Sequence, residues 1–149
     1  MSRIHIGGED REFLAIQIEG REQVEYPVDY FDNNWLTCIV EVVAGGFRGT
    51  LRCSLLTEDL VRLREIARDL QDWSESQVGF GTLEDWLRID FFLDDRGDIE
   101  LLGELREQTR GNRLHFLLKL DQSYLPSFIG DLDRAIREFP VIGSPPIPQ

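Results

Sequence analysis

The sequence predicts one α+β domain, in which an antiparallel β-sheet built of hairpins carries two helices on its apolar face. Two pairs of segments alternate apolar and polar residues around glycine-containing turns, which is typical of half-buried antiparallel strands. Two other segments repeat apolar residues at helical spacing, and strands that bury such helices define the α+β class. We expect the domain to span residues 1–140, with a proline-rich C-terminal tail at 141–149.

The N-terminal third predicts one strand in REFLAIQIEG, residues 11–20, and a second short strand around residues 4–6. The segment DYFDNNWL follows at residues 29–36. Asp and Asn before an apolar run are frequent turn formers, so we interpret it as the turn that leads into a strand at Trp35. A calcium loop on Asp29 and Asp32 is the alternative, but the spacing matches no EF-hand and lacks a bidentate glutamate.

The next two strands form a hairpin whose register follows from the sequence. Gly45 and Gly46 suit a two-residue turn, which needs a positive φ angle. A turn at that position makes every inward residue face another inward residue, so the apolar pattern and the turn agree. The predicted pairs are Leu36–Leu55, Cys38–Cys53, Val40–Leu51 and Val42–Gly49.

Two helices complete the predicted elements. The first covers TEDLVRLREIARDLQDW, residues 57–73, with Thr57 as its N-cap and acidic residues in its first turn. The second covers SYLPSFIGDLDRAIREFP, residues 123–140, where Pro126 lies in the first turn and Pro140 ends the helix. Both helices repeat apolar residues on one side and therefore need a sheet to cover them.

Between the helices, three consecutive strands predict a meander with one apolar face. Asp94 to Gly97 fits a three-residue loop with Gly97 in the left-handed region. The third strand carries the alternating residues of the segment 114–120. The pairs predicted for the first two strands are Leu93–Ile99, Phe91–Leu101 and Ile89–Gly103.

The charge balance narrows the class of partner. The chain has 28 acidic and 16 basic residues, a formal net charge of −12. Nucleic acid is not an expected partner, because phosphate contacts need clustered cations, and an anionic membrane surface is unfavourable for the same reason. The N-terminus has no apolar signal region, and no apolar run reaches the ~20 residues of a membrane span, so we expect a cytoplasmic protein. The charge permits a basic protein partner, but it is also common among cytosolic proteins, where it serves solubility.

The strongest candidate site is an acidic stretch with interspersed aromatic residues. Nine acids and three arginines lie between Glu84 and Glu107, which accounts for half of the net charge of −12. Alternation places Trp86, Phe92, Leu102 and several acids on the outer face of the predicted meander. Aromatic anchors among charged residues are typical of protein-binding surfaces. The alternative is that the first segment or a helix covers Trp86 and Phe92 and that the acids are merely solvated. The candidate partner-binding residues are Trp86, Asp90, Phe92, Asp94, Asp95, Asp98, Glu100 and Glu104, with Asp29 and Asp32 of the earlier loop as a second contact.

Cysteine and histidine offer weaker candidates. Cys38 and Cys53 face each other, which suits a disulfide, half of a metal site, or two small buried apolar residues, and the cytoplasm favours the last. A hydrolase using His115 with Asp90 or Asp121 lacks a nucleophile placed near either residue. We therefore expect no catalytic site, metal or cofactor.

Four segments together resemble a known family. They are YFDNNWL, AGGFRGTLRCSLLTEDL, LEDWLRI and NRLHFLLKLDQSYLPSFIGDL, which occur in this order between Asp29 and Pro140. Their DNNWL, GGF-x-G, LE-x-WL and LDQ-x-YLP patches are similar to those of the WapI-type bacterial immunity proteins. The resemblance implies a cytoplasmic antitoxin that binds the C-terminal domain of a contact-dependent or polymorphic toxin.

These observations favour a non-enzymatic immunity protein that neutralises a basic toxin domain. We expect that domain to be a nuclease, because nucleases must be basic to bind nucleic acid. The alternative is a small-molecule or carbohydrate-binding module, with Asp29, Tyr30, Asp32 and Trp35 lining an aromatic pocket. An exposed sheet edge also permits a homodimer.

Overall fold

The structure is a computed structural model that describes residues 2–8 and 11–146. The last three residues of the predicted tail therefore lie outside the described residues. The first half contains β1 (Ser2–Gly7), β2 (Glu12–Arg21), β3 (Trp35–Ala44), β4 (Phe47–Leu56) and α1 (Thr57–Gln71). The second half contains β5 (Gln77–Gly81), β6 (Leu87–Leu93), β7 (Asp98–Arg106), β8 (Arg113–Asp121) and α2 (Leu125–Glu138).

The strands form two four-stranded antiparallel sheets, ordered β1-β2-β3-β4 and β5-β6-β7-β8, and each sheet is followed by one helix. This confirms the α+β class. The inner faces of both sheets and the buried sides of both helices form one hydrophobic core. The helices contact each other, and α2 also lies against β1. The two halves thus repeat one order of elements around a shared interior.

The predicted registers are confirmed in both sheets. Cys38 faces Cys53 and Val42 faces Gly49 in the first, while Phe91 faces Leu101 in the second. Gly45 and Gly97 adopt φ angles of 60° and 93°, as the turns require. The strand that the sequence did not predict is β5, which pairs with the outer edge of β6.

The N-cap prediction for α1 is wrong by one residue. The helix begins at Thr57 and Leu56 is its N-cap. Leucine has no polar side chain, so the buried carboxylate of Asp59 accepts a hydrogen bond from the Leu56 N–H at 2.9 Å. The Thr57 hydroxyl instead donates to Asn34 Oδ1 at 2.9 Å. An acidic residue in the first turn therefore supplies the cap, and Thr57 connects the helix to the preceding loop.

Candidate partner-binding surface

The register of the second sheet brings five of the ten predicted site residues onto one outer face, namely Asp90, Phe92, Asp98, Glu100 and Glu104. Because side chains alternate along a strand, those on the outer face form rows that run across the four strands. One row is Gln77, Phe92, Glu100 and Lys119; the next is Gly79, Asp90, Leu102 and Leu117; and a third is Gly81, Arg88, Glu104 and His115. We call this the outer face of the second sheet.

An apolar pair lies near the middle of this face. Leu102 and Leu117 are cross-strand partners, and they are 43% and 38% exposed. Phe92 lies one row away and is half-buried, and Gly79 leaves the β5 end of the Leu102 row without a side chain. Exposed apolar side chains at the centre of a polar face are typical of a surface that a partner covers.

Carboxylates surround the pair and most of them are free to bind. Asp90, Asp98 and Glu100 are exposed, and within residues 2–8 and 11–146 their carboxylates make no hydrogen bond or ion pair. Glu104 differs, because its two oxygens lie 3.6 Å from Arg113 and 3.8 Å from His115. Charge that has no internal partner is available for a partner's cations.

The β6–β7 turn adds two further acids in different roles. Asp94 Oδ1 accepts hydrogen bonds from the N–H groups of Arg96 and Asp98 at 2.9 and 3.0 Å, so it holds the turn in shape. Asp95 is exposed at the tip. Beside the turn, a crevice of about 640 Å³ opens between the outer face and the start of α2. Its lining includes Phe92, Asp98, Glu100, Lys119, Asp121 and Tyr124.

Trp86 is less accessible to a partner than the sequence indicated. It is half-buried against the core, and its indole N–H donates to Glu84 at 3.0 Å. Leu117, which the sequence analysis did not name, is more exposed on the same face. Leu114, Phe116 and Leu118 point inward, and side chains alternate along a strand, so residue 117 must point outward. The outward position of Leu117 could therefore have been predicted from the sequence.

Asp29 and Asp32 lie in a separate loop, and their carboxylates accept hydrogen bonds from backbone N–H groups of that same loop. Asp32 Oδ2 accepts from the Val28 N–H at 2.7 Å, and Asp29 Oδ1 accepts from the Asp32 N–H at 3.1 Å. The interpretation of DYFDNN as a structural turn fits these bonds. Tyr30 packs edge-on against Phe31 and donates to Glu58 at 3.1 Å. Tyr30, Phe31 and Asp32 are half-buried and Asp29 is exposed, and their mutual contacts hold this corner of the fold in shape.

Asn34 is the polar centre of that corner. Its side chain is fully buried and makes four close hydrogen bonds, so each donor and acceptor is used. The Nδ2 group donates to the carbonyl oxygens of Tyr30 at 2.7 Å and Ile142 at 2.8 Å. The Oδ1 atom accepts from the Thr57 hydroxyl at 2.9 Å and the Ile142 N–H at 2.8 Å. The beginning of the C-terminal segment is thereby fastened to the loop.

The other candidate residues do not assemble into a catalytic group. Both cysteines are free thiols in the core. Burial, followed by the neighbouring Cys53 thiol, raises the pKa of Cys38 far above its ordinary value, and burial raises the pKa of Cys53 to about 12. His115 faces Glu104 across the strands, whereas Asp90 faces Leu102 and the carboxylate of Asp121 accepts from the Ser123 N–H at 2.8 Å.

Within residues 2–8 and 11–146, no three His, Cys, Asp or Glu side chains are grouped so as to hold a metal ion. None of the helices in this described part of the chain combines the length and the apolar character that crossing a membrane requires.

Comparison with known proteins identifies the family. A family model described as the immunity protein WapI-like family matches residues 5–140, which include both helices and every strand except the first three residues of β1. The chain belongs to the immunity protein WapI-like family. A search of curated proteins gives no match. Among solved structures, one titled "Crystal structures of trypanosoma bruciei MRP1/MRP2" is 9% identical, with a TM-score of 0.45, over 91% of this chain and 83% of that chain. A similarity of that size carries no argument about function.

Proposed function

We propose that this member of the immunity protein WapI-like family neutralises the C-terminal domain of a secreted bacterial toxin by binding it with the outer face of the second sheet. The chain acts by occupying the toxin's active surface and catalyses no reaction itself. It acts in the cytoplasm of the cell that it protects.

One observation carries the choice of surface. The exposed pair Leu102 and Leu117 lies within a few residues of three carboxylates, Asp90, Asp98 and Glu100, that the described chain leaves unpaired. An apolar centre supplies binding free energy through burial, and the charged rim selects the partner and the orientation. The crevice beside the β6–β7 turn extends the face with carboxylates and two aromatic rings, the groups that a guanidinium contacts.

The charge favours a basic toxin domain, with a nuclease as the class proposed. A nuclease needs clustered cations to hold phosphate groups, and a protein with a net charge of −12 offers it a polyanionic alternative. Opposite charges also accelerate association at low ionic strength. The same charge disfavours nucleic acid and anionic membranes as partners of this chain.

The test uses the C-terminal domain of the secreted toxin encoded beside this chain. We expect the purified pair to form a complex whose association slows as salt increases. Replacing Asp90→Lys together with Glu100→Lys is expected to weaken binding about tenfold or more at low salt. The matched control, Glu65→Lys with Glu75→Lys, makes the same change of charge at exposed positions outside the face, at and beyond α1, and should have a much smaller effect.

Two outcomes contradict the proposal. A wild-type chain that fails to bind or protect against the toxin removes the immunity function for this pair. Equal losses from the two double variants would mean that only the total charge matters and that the outer face of the second sheet is not the contact. The nuclease class is tested separately, by asking whether the toxin domain cleaves RNA or DNA and whether one equivalent of this chain stops it.

A further inference from the structure

The loop between β2 and β3 exposes three apolar side chains in one short segment. Val24, Tyr26 and Val28 are 38%, 79% and 89% exposed, and they occupy alternate positions of the sequence VEYPV. Two of these are the most exposed large apolar side chains that the structure describes. We call residues 24–28 the apolar tip.

The apolar tip is exposed although the chain on both sides of it is fixed. Before the tip, the Glu22 N–H donates to the Trp35 carbonyl at 2.9 Å, and the Arg21 guanidinium donates to the carbonyl oxygens of Asn33 at 2.6 Å and Pro140 at 2.7 Å. After the tip, the Val28 N–H donates to Asp32 at 2.7 Å. Both ends are therefore anchored, and the tip is presented in a restrained geometry.

The charge around the tip has one sign. Residues 22–32 contain four acids, namely Glu22, Glu25, Asp29 and Asp32, and no lysine or arginine. Glu25 and Asp29 are exposed beside Tyr26 and Val28. A surface that accepts this segment must therefore combine an apolar cleft with cationic side chains at its rim.

We propose that the apolar tip is a second docking element, in which Tyr26 and Val28 insert into an apolar cleft with a basic rim on the toxin domain. This inference rests on the proposed function, because the partner is the same basic toxin. It assigns the contact to the apolar residues, whereas Asp29 and Asp32, the acids that the sequence singled out, act as positioning residues that hold the tip.

Physical reasons support the choice of Tyr26 as the main contact. Tyrosine is enriched among the residues that dominate binding, because it buries a large rigid area at a small entropic cost. Pro27 restricts the backbone beside it, and the anchored ends reduce the ordering that binding would otherwise require. The exposed carboxylate of Glu25 adds the charge complementarity that orients a basic rim.

The experiment measures the affinity of the full chain for the toxin domain in variants of the tip. Tyr26→Ala is expected to weaken binding about 30-fold and to leave the melting temperature unchanged, because the side chain is exposed. The control is Phe47→Ala, which removes an aromatic ring that is 73% exposed at the β3–β4 turn. It should leave the affinity within about twofold of wild type.

A second variant tests the positioning role. Asp32→Ala removes the acceptor of the Val28 N–H and loosens the tip without removing Tyr26. It should weaken binding, and in that background Tyr26→Ala should cost less than it does in the wild type, because a loosened tip gains less from its tyrosine. Fully additive effects would show that Asp32 does not position the tip.

The outcomes separate this inference from the proposed function. A wild-type chain that binds, together with a Tyr26→Ala variant that binds equally well, overturns the inference and leaves the immunity function in place. A wild-type chain that does not bind overturns both. Loss of self-association in Tyr26→Ala, measured by sedimentation, without loss of toxin binding would assign the tip to a second copy of this chain and also overturns the inference.

Discussion

The two halves of the molecule repeat the same order of four strands and one helix, but their outer sheet faces differ. On the first sheet, three apolar residues that point outward are buried by the chain itself. Phe13 is only 5% exposed, because the His5 ring stacks on it at 5.0 Å between centroids and the Arg3 guanidinium lies 5.9 Å from its ring. Ala15 and Val43 on the same face are also buried.

On the second sheet the corresponding covering is missing. Leu102 and Leu117 remain exposed, and Asp90 and Glu100 beside them have no partner in the described chain. Folding alone favours the first arrangement, since covered apolar side chains gain free energy by leaving water. This difference supports the proposal that the outer face of the second sheet is the one that binds the toxin.

The largest expected effect is on the free energy of unfolding, and it comes from a substitution that breaks a connection between the two halves. Asn34→Ala removes the buried amide that joins the loop before β3 to the segment after α2, and it leaves several polar groups without partners. Each buried unsatisfied group costs about 1–3 kcal/mol, so we expect the free energy of unfolding to fall by about 3 kcal/mol or more. Urea unfolding measures the change.

The neighbouring residue provides the control for that variant. Asn33 is exposed, and only its backbone carbonyl takes part in the corner, as an acceptor for Arg21. Asn33→Ala should therefore change stability by less than about 0.5 kcal/mol. Similar losses from Asn33→Ala and Asn34→Ala would show that the hydrogen bonds of Asn34 do not stabilise the corner.

A glycine in each half allows a second comparison. A Cβ atom at Gly103, on the inner face of the second sheet, would lie 2.1 Å from a ring carbon of Phe116. The ring occupies the core and has little room to move, so Gly103→Ala should destabilise the fold by about 2 kcal/mol. Gly20 in the first sheet has no heavy atom within 4 Å of such a Cβ, and Gly20→Ala should be nearly neutral. Thermal unfolding of the two variants tests this difference. Equal melting temperatures for Gly103→Ala and Gly20→Ala would contradict the close packing of Phe116 against Gly103.

The third prediction addresses the open face directly. The double variant Leu102→Ala, Leu117→Ala should weaken toxin binding about tenfold, because it removes the apolar centre of the proposed contact. Since both side chains are partly exposed, the loss of stability should be small. Ile39 is a half-buried residue of the outer face of the first sheet, and Ile39→Ala should leave the affinity unchanged. A loss of affinity from Ile39→Ala that equals the loss from the leucine pair would place the toxin on the other sheet.

The difference between the halves also explains what the sequence predicted well. Registers were predicted correctly where two independent signals agreed, as at Gly45 and Gly97, where the turn chemistry and the apolar alternation select the same pairing. The strand β5 has five residues, of which two are glycines, so it shows too few alternations to be recognised. Alternation marks an inner face but does not specify whether that face belongs to one sheet or to two.

The positions of the candidate site residues in the sheet were predicted in part for similar reasons. Local alternation correctly placed Asp90, Phe92, Glu100 and Glu104 on one face, because the strand period alone decides that property. Two of the four hydrogen bonds of Asn34 join it to Ile142, which is 108 residues away, and no local pattern specifies such a contact. The exposure of Tyr26 was also unpredictable, since apolar residues in general are more often buried than exposed.

The smallest expected effect concerns the two thiols, which lie only in the first sheet. Burial raises the pKa of Cys38 and Cys53 above their ordinary value of 9.0, so the folded protein holds both protons more tightly than the unfolded chain does. Their contribution to stability is complete below pH 9.0 and is lost as the pH rises toward the folded pKa, which is about 12 for Cys53. We expect a loss of about 1 kcal/mol for each thiol between pH 9 and 10.

The double variant Cys38→Ala, Cys53→Ala isolates that contribution. It should start from a lower stability at neutral pH, because two buried side chains are shortened, but its stability should fall less steeply above pH 9.0 than that of the wild type. The inner face of the second sheet carries residues such as Ile89, Phe91 and Leu118, none of which titrates. If the wild type and the double variant lost stability in parallel through this range, the alkaline sensitivity would not belong to the first sheet.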